Sequence, residues 1–283
     1  MSDSIQRNPH PDFQKVQASR TRPSNPPFTY TQTASPSWTF GAGANSTPSS
    51  PKAHIPINPY SQDRPAALNY KLLISAIVPR PVAFLSTVSS DGRPNLAPFS
   101  YFNMMNHDPP IFVIGFASPV SEAKDSLKNL LDTKEGVINI ISDDYVEAAN
   151  STSINAPFGI SEWDVSGLTP VRGEGGSQDV KAPRVKEAVF SVEVKLDMVK
   201  EWESRQTGRK TGTMVVLEGL RFWVREDAIN EDRSLVDPAV LRPIGRLGGI
   251  TYSRTNEGFE LLRPKFEEDL GGEVGLKKIK EQK

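Results

Sequence analysis

Apolar residues occupy every second position from Phe190 to Met198 (Phe190, Val192, Val194, Leu196, Met198), with Ser191, Glu193, Lys195 and Asp197 between them. A period of two puts alternate side chains on opposite faces, so this run predicts a strand with one face inside and one outside. Thr213–Val224 predicts a second long strand, with Gly219 marking a bulge. Val82–Val88 is a β-type run closed by a Ser89-Ser-Asp-Gly92 turn, and Arg93–Phe99 returns as its partner, limited in pairing by Pro94 and Pro98. Ile111–Phe116 and Gly136–Ile141 read as buried strands. Short helices are predicted at Leu68–Ile77, stopped before Pro79, at Ser121–Leu131 and at Asp143–Asn150. Many strands with few long helices favour a closed or nearly closed barrel over a doubly wound sheet, in a mainly β, α+β chain.

The pattern starts at about residue 55. Residues 1–59 hold 10 of the 24 prolines, and the first 53 carry 5 Lys/Arg against 2 Asp/Glu. No helical or alternating period lasts there, so burial cannot offset the ordering entropy. Three segments are therefore expected: a Pro/Ser-rich extension over 1–54, disordered or lying as a strap; a folded domain over 55–262; and a charged, flexible tail over 263–283. Phe28, Tyr30, Trp38 and Phe40 are the aromatic exceptions in the extension, either docking residues or loosely held rings.

Composition narrows the chemistry. The 283 residues carry 33 Lys+Arg, 34 Asp+Glu and no cysteine. A net charge of −1 gives no global reason to bind nucleic acid or an acidic membrane. Without cysteine there is no disulfide, thiolate metal site or thiol nucleophile. No apolar run reaches the length of a membrane span, and MSDSIQRNPHPDF lacks a secretory apolar core. A cytoplasmic location is the expectation, with the Asn45 and Asn150 sequons read as chance. Of three histidines, His10 and His54 lie in or beside the extension, while His107 in Asn106-His-Asp-Pro-Pro suits a turn or cap better than catalysis. Serine-hydrolase, zincin, dinucleotide and P-loop signatures are missing, and Gly173-Glu-Gly-Gly176 lacks the flanking strand and helix.

Two segments point to an anionic, planar ligand. Lys124-Asp-Ser-Leu-Lys opens a helix soon after a strand, where free N–H groups, the Lys124 ammonium and the Ser126 hydroxyl suit a phosphate. Ordinary capping by Ser121 or Asp125 is the other reading. In Asn95-Leu-Ala-Pro-Phe-Ser-Tyr-Phe-Asn103, the small Ala97, Pro98 and Ser100 would let a backbone approach a flat ring flanked by Phe99 or Phe102. A barrel corner with core aromatics would look the same.

The run Arg80-Pro-Val-Ala-Phe-Leu-Ser-Thr-Val-Ser-Ser-Asp-Gly-Arg-Pro-Asn-Leu-Ala-Pro-Phe-Ser-Tyr-Phe-Asn103 resembles the opening of flavin reductase-like proteins with the FMN-binding split barrel. The likeness continues through Asp108-Pro-Pro, Lys124-Asp-Ser, Ser161-Glu-Trp-Asp-Val-Ser-Gly-Leu-Thr-Pro, Pro183-Arg-Val-Lys-Glu-Ala and Pro243-Ile-Gly-Arg-Leu-Gly-Gly-Ile-Thr-Tyr, spanning about 68–255. It implies a homodimeric split barrel binding FMN, in preference to FAD, near the subunit interface. The isoalloxazine would lie against Asn95–Phe102, including Asn95, Ala97, Pro98, Phe99 and Phe102, with its phosphate near Lys124 and Ser126. Thr87 and Ser100 would supply hydrogen bonds, and Gly248, Gly249 and Tyr252 would close the site. Arg246 is a candidate for the phosphate or a substrate carboxylate.

The implied function is an FMN-dependent oxidoreductase, with NAD(P)H as candidate reductant and an unassigned acceptor. Where free-flavin reductases of this family often carry Gly-Asp-His, this chain has Gly212-Thr-Met214, so a nicotinamide contact through that His cannot be carried over. Met214 keeps open an alternative, a non-enzymatic FMN-binding electron carrier reduced by a partner. An oxidase of pyridoxamine-phosphate type would share the fold, but no motif points to it.

Overall fold

The computed structural model describes residues 12–21, 27–45, 52–156, 160–173 and 179–281. In chain order the elements are α1 (Phe13–Ala18), β1 (Thr29–Thr31), α2 (Ala66–Ala76), β2 (Ala83–Val88), β3 (Pro94–Phe99), β4 (Phe102–His107), β5 (Pro110–Phe116) and α3 (Asp125–Thr133). Then come β6 (Glu135–Ile140), α4 (Val146–Ser151), α5 (Glu162–Ser166), β7 (Pro170–Val171), β8 (Arg184–Val185), β9 (Phe190–Glu203) and β10 (Lys210–Val224). The chain closes with α6 (Pro238–Leu241), β11 (Ile244–Arg246), β12 (Tyr252–Arg254), β13 (Glu257–Phe259) and α7 (Gly272–Glu281).

The body is a seven-stranded antiparallel sheet in the order β3-β2-β6-β9-β10-β5-β4. It curls until its ends approach without forming a ladder: the Phe99 ring of β3 lies 4.7 Å from that of Phe116 on β5. The interior is filled by Leu85, Ile114, Ile138, Val194, Val215 and Leu217, with Leu127 and Leu130 of α3 packed on them. A barrel that meets through side chains on one seam is split, as expected from the sequence. Pro94 and Pro98 are tolerated because β3 is an edge strand, where only one side needs ladder donors.

The expected bulge at Gly219 is a register shift between Gly219 and Arg221, where a Cβ on Gly219 would meet the Phe112 ring at 3.2 Å. The hairpin turn after β2 forms as expected, with Gly92 at φ 88° and its N–H donating to Ser89 O at 2.9 Å. His107 ends β4 opposite Pro110 in the β4–β5 hairpin.

The alternation in β9 needs a correction. Val192 and Val194 are buried as expected, but so are Ser191 and Glu193, whereas Met198 is exposed. A second layer covers the outer face of β9. Ser191 Oγ donates to Asn139 Oδ1 at 2.8 Å, while Glu193 accepts from Trp223 Nε1 and Asp179 N, each at 2.7 Å. Burial there is through polar partners, which a hydrophobic period cannot register. The helix expected from Ser121 begins at Asp125, after a 3₁₀ turn over Val120–Glu122, because Lys124 is extended (φ −79°, ψ 170°).

The described parts of 26–58 and 256–283 form a unit of their own. In it β1 pairs in parallel with β13, Thr29 opposite Glu257 and Thr31 opposite Phe259, and the Phe28 and Tyr30 rings meet edge to face at 5.2 Å. The extension, read as disordered or a strap, thus carries β1, whose partner β13 lies near the end of the expected folded segment, and the tail read as flexible carries α7. Parallel pairing across more than two hundred residues leaves no local period to read. Residues 1–11, 22–26 and 46–51 of the extension lie outside the described residues, as do Glu174–Gly176 of the discounted glycine loop.

Candidate functional site

Two cavities open beside the seam where the sheet ends meet. The first, about 430 Å³, lies between the β3 segment Asn95–Phe99, the strand end Phe116–Ser118, the start of α3 and the loop Thr152–Ala156. The second, about 300 Å³, lies between Pro98–Tyr101, Gly115, Arg80 and the β11–β12 hairpin with Arg246, Gly249 and Tyr252. They share Pro98, Phe99, Ala117 and Ser153, so one wall borders both.

The start of α3 leaves backbone donors outside the helical ladder. Lys128 N makes the first intrahelical bond, to Lys124 O at 2.9 Å, so the N–H groups of Asp125, Ser126 and Leu127 precede the ladder. No side chain caps them, and among the described residues no carboxylate pairs with Lys124. The capping reading by Ser121 or Asp125 therefore falls. Asn95 Nδ2 donates to Ser126 Oγ at 2.8 Å, fixing the hydroxyl at the cavity.

Two acids compete with this positive end, Asp125 in the first turn of α3 and Glu162. Glu162 lines the same cavity, and its carboxyl is held above the usual range by burial, with the Asp125 charge adding to the shift. Across the wall, the Arg246 guanidinium lies 4.2 Å from the Tyr252 ring centroid and donates to Gly249 O at 2.9 Å. Burial raises the Tyr252 hydroxyl, with Arg246 pulling the other way.

Nine residues expected from the sequence thus line one or both cavities: Asn95, Ala97, Pro98, Phe99, Ser100, Lys124, Ser126, Arg246 and Tyr252. Gly249 joins them. Three others do not. Thr87 is fully buried, and its Oγ1 accepts from Asn129 Nδ2 at 3.1 Å, so it positions α3 against β2. Phe102, half-buried, stacks on Phe112 at 6.3 Å and packs against the core. Gly248 faces α2, where a Cβ would meet Ser75 Cα at 3.2 Å. Sequence reasoning missed Arg80, Ser153 and Glu162 as cavity residues. Arg80 stood in the quoted motif but carried no chemical signal, and the other two reach the cavity only through tertiary packing.

A third cavity, about 370 Å³, lies between the Ser89–Arg93 turn, Lys128 and Ser161 and shares Asn95, Asp125 and Glu162 with the first. Its cations are ion-paired, Arg93 with Asp91 at 2.9 Å and Lys128 with Asp132 at 2.6 Å.

A split barrel whose uncapped helix start lies beside the Pro98–Phe99 wall suits a flavin, the ligand class that comparison with known proteins supports. The chain belongs to the flavin reductase-like domain family, matched over residues 75–241. An uncharacterised protein of Halalkalibacterium halodurans is 33% identical over 209 residues, 74% of this chain and 96% of that one. One of Aquifex aeolicus, also uncharacterised, is 39% identical over 186 residues, 65% of this chain and 88% of its own. Among solved structures, nitrilotriacetate monooxygenase component B of Bacillus cereus superposes with a TM-score of 0.68 at 33% identity, covering 75% of this chain and all (100%) of its own. The 2-nitrobenzoate 2-nitroreductase of Pseudomonas fluorescens follows at 0.63 and 29%, covering 76% and 98%. Flavin is the ligand class this family membership supports. Among the described residues, no helix is long and apolar enough to cross a membrane, and no group of three His, Asp or Glu could hold a metal.

Proposed function

We propose that the chain is an FMN-dependent oxidoreductase that works as a homodimer, with NAD(P)H as candidate reductant. The observation that carries this is the shared Pro98–Phe99 wall, with the uncapped start of α3 and Lys124, which no carboxylate pairs among the described residues, at one end and Arg246 at the other. When bound, the flavin supplies two-electron hydride chemistry at its N5. The chain's own part is to hold and shield. The first-turn N–H groups of α3, Lys124 and Ser126 bind the phosphate; Ala97 and Pro98 admit the ring; Phe99 and Phe116 keep water from one edge. No side-chain acid or base is needed, which suits a site without histidine. FMN is favoured over FAD because the neighbouring third cavity offers only ion-paired cations to a second phosphate.

The resemblance to a monooxygenase component and a nitroreductase supports a redox role and leaves the acceptor open. A dimer is supported by β4, an edge strand whose Met104 and Met105 are 60% and 61% exposed. The test is FMN titration of purified flavin-free chain, read by fluorescence quenching, followed by NADH and NADPH oxidation with FMN present. Micromolar or tighter binding with FMN-dependent turnover is expected; absence of binding would sink the reading. Binding without turnover from either nucleotide would favour the electron carrier, the role Met214 leaves open.

A further inference from the structure

We propose that the second cavity, beside the wall assigned above to the flavin, binds a small planar carboxylate, an aromatic acid of about benzoate size, through Arg246; the placement beside the flavin rests on the proposed function.

One backbone bridge sets two cationic side chains next to each other. Arg80 and Arg246 form an isolated antiparallel bridge in which Arg80 N donates to Arg246 O at 3.0 Å and Arg246 N to Arg80 O at 2.8 Å. Residues paired in this way send their side chains to the same face, and like charges opposite each other are destabilising. Both side chains line the second cavity, and no acidic residue lines it. Among the described residues, neither guanidinium pairs with a carboxylate. A chain that places two cations on one bridge without a counter-ion leaves that role to a ligand.

The two cations are not equivalent. Arg80 is anchored: Nη1 donates to Ile74 O at 2.7 Å and Ile77 O at 2.8 Å, and Nη2 to Leu247 O at 3.1 Å. It contributes charge from a fixed place. Arg246 has its guanidinium carbon 4.2 Å from the Tyr252 ring centroid and gives Nη2 to Gly249 O at 2.9 Å, which leaves the rest of its fork for bidentate carboxylate recognition.

Shape and the division of labour between cavities select the ligand. The lining includes Phe99, Tyr101 and Tyr252, and a Cβ on Gly115 would meet Tyr101 Cβ at 3.0 Å, so glycine there lets the Tyr101 side chain lie close against β5. The fittings for a phosphate, a lysine and a helix start, line the first cavity and not this one. One planar fork above aromatic walls matches one carboxylate on a ring.

The test is calorimetric titration of the full chain, saturated with FMN, with benzoate, its neutral isostere benzamide, and ADP. Benzoate should bind about tenfold or more tighter than benzamide, the scale of a charge-assisted hydrogen bond, and ADP should not displace it. Arg246→Gln should remove that preference and Arg246→Lys should keep part of it. Equal binding of benzoate and benzamide, displacement by ADP, or a preference that survives in Arg246→Gln would overturn the proposal. So would a loss of FMN relative to riboflavin in Arg246→Gln, which would give Arg246 to the flavin phosphate. Should FMN itself fail to bind, the flavin reading falls alone, because the benzoate–benzamide comparison on the flavin-free chain still decides. Should the variants fail to fold, the three ligands on the unaltered chain decide.

Discussion

Asn95 Nδ2 donates to Ser126 Oγ at 2.8 Å, and through that bond the edge strand β3 is tied to the first turn of α3. Both residues are nearly inaccessible, at 7% and 5% exposure, so neither group has water as a ready substitute. Ser126→Ala leaves the Asn95 amide buried without this partner, a loss of about 1–3 kcal/mol. The variant should unfold at lower denaturant and bind FMN more weakly, because it removes a hydroxyl at the proposed phosphate end. A stability loss with FMN affinity untouched would place the hydroxyl outside the ligand site.

A second polar pair sits one strand further in. Thr87, opposite Asn95 in the β2–β3 ladder, accepts from Asn129 of α3 at 3.1 Å. Strand and helix are thus pinned twice on one face of α3. A double-mutant cycle with Thr87→Val and Asn129→Ala should give a coupling energy of about 0.5–3 kcal/mol in urea denaturation. Additive losses would show the pair to be incidental.

These pairs also show what the sequence made legible. The Asn95–Phe99 and Lys124–Ser126 segments carry their chemistry in residue type and local order, and they meet at one cavity. Thr87 carries the same donor chemistry and stands in the same motif, yet its hydroxyl turns to Asn129. Only the register of β2 against β6 and α3 decides that, and register is not a local property. The burial of Glu193 and the β1–β13 pairing were hidden for the same reason: each depends on a partner distant along the chain. Strands with a clear local period were readable, and even Gly219 announced its bulge, but β4 was not, because Phe102-Asn-Met-Met-Asn-His107 does not alternate apolar and polar positions.

The exposed edge of β4 gives a prediction about assembly. An edge strand presenting Met104 and Met105 to solvent is a site for association, and the proposed dimer would cover it. Sedimentation should show a dimer for the unaltered chain, and Met104→Glu with Met105→Glu should shift it toward monomer. A monomer at micromolar concentrations of the unaltered chain would refute the dimer.

Glu162 gives the pH dependence. Its carboxyl is raised above the ordinary 4.5, chiefly by burial, so the neutral form is favoured in the fold. The associated stability is fully present below the ordinary value and is lost as pH rises through the raised one. Lys124, Asp125 and Glu162 are the charged groups lining this cavity, and above that pH the Glu162 carboxylate faces the same space as the proposed flavin phosphate. Glu162→Gln removes one negative charge at near-constant size, so at pH 7.5 the variant should bind FMN about threefold to tenfold tighter, the scale of one partly screened like charge. The phosphate loses its second proton near pH 6 in both proteins, so the ratio of their affinities isolates Glu162. That ratio should shrink toward one as pH falls into the carboxyl's range, and riboflavin, lacking the phosphate, should show little of it. A ratio independent of pH, or equal for FMN and riboflavin, would mean that the phosphate does not sit at the start of α3.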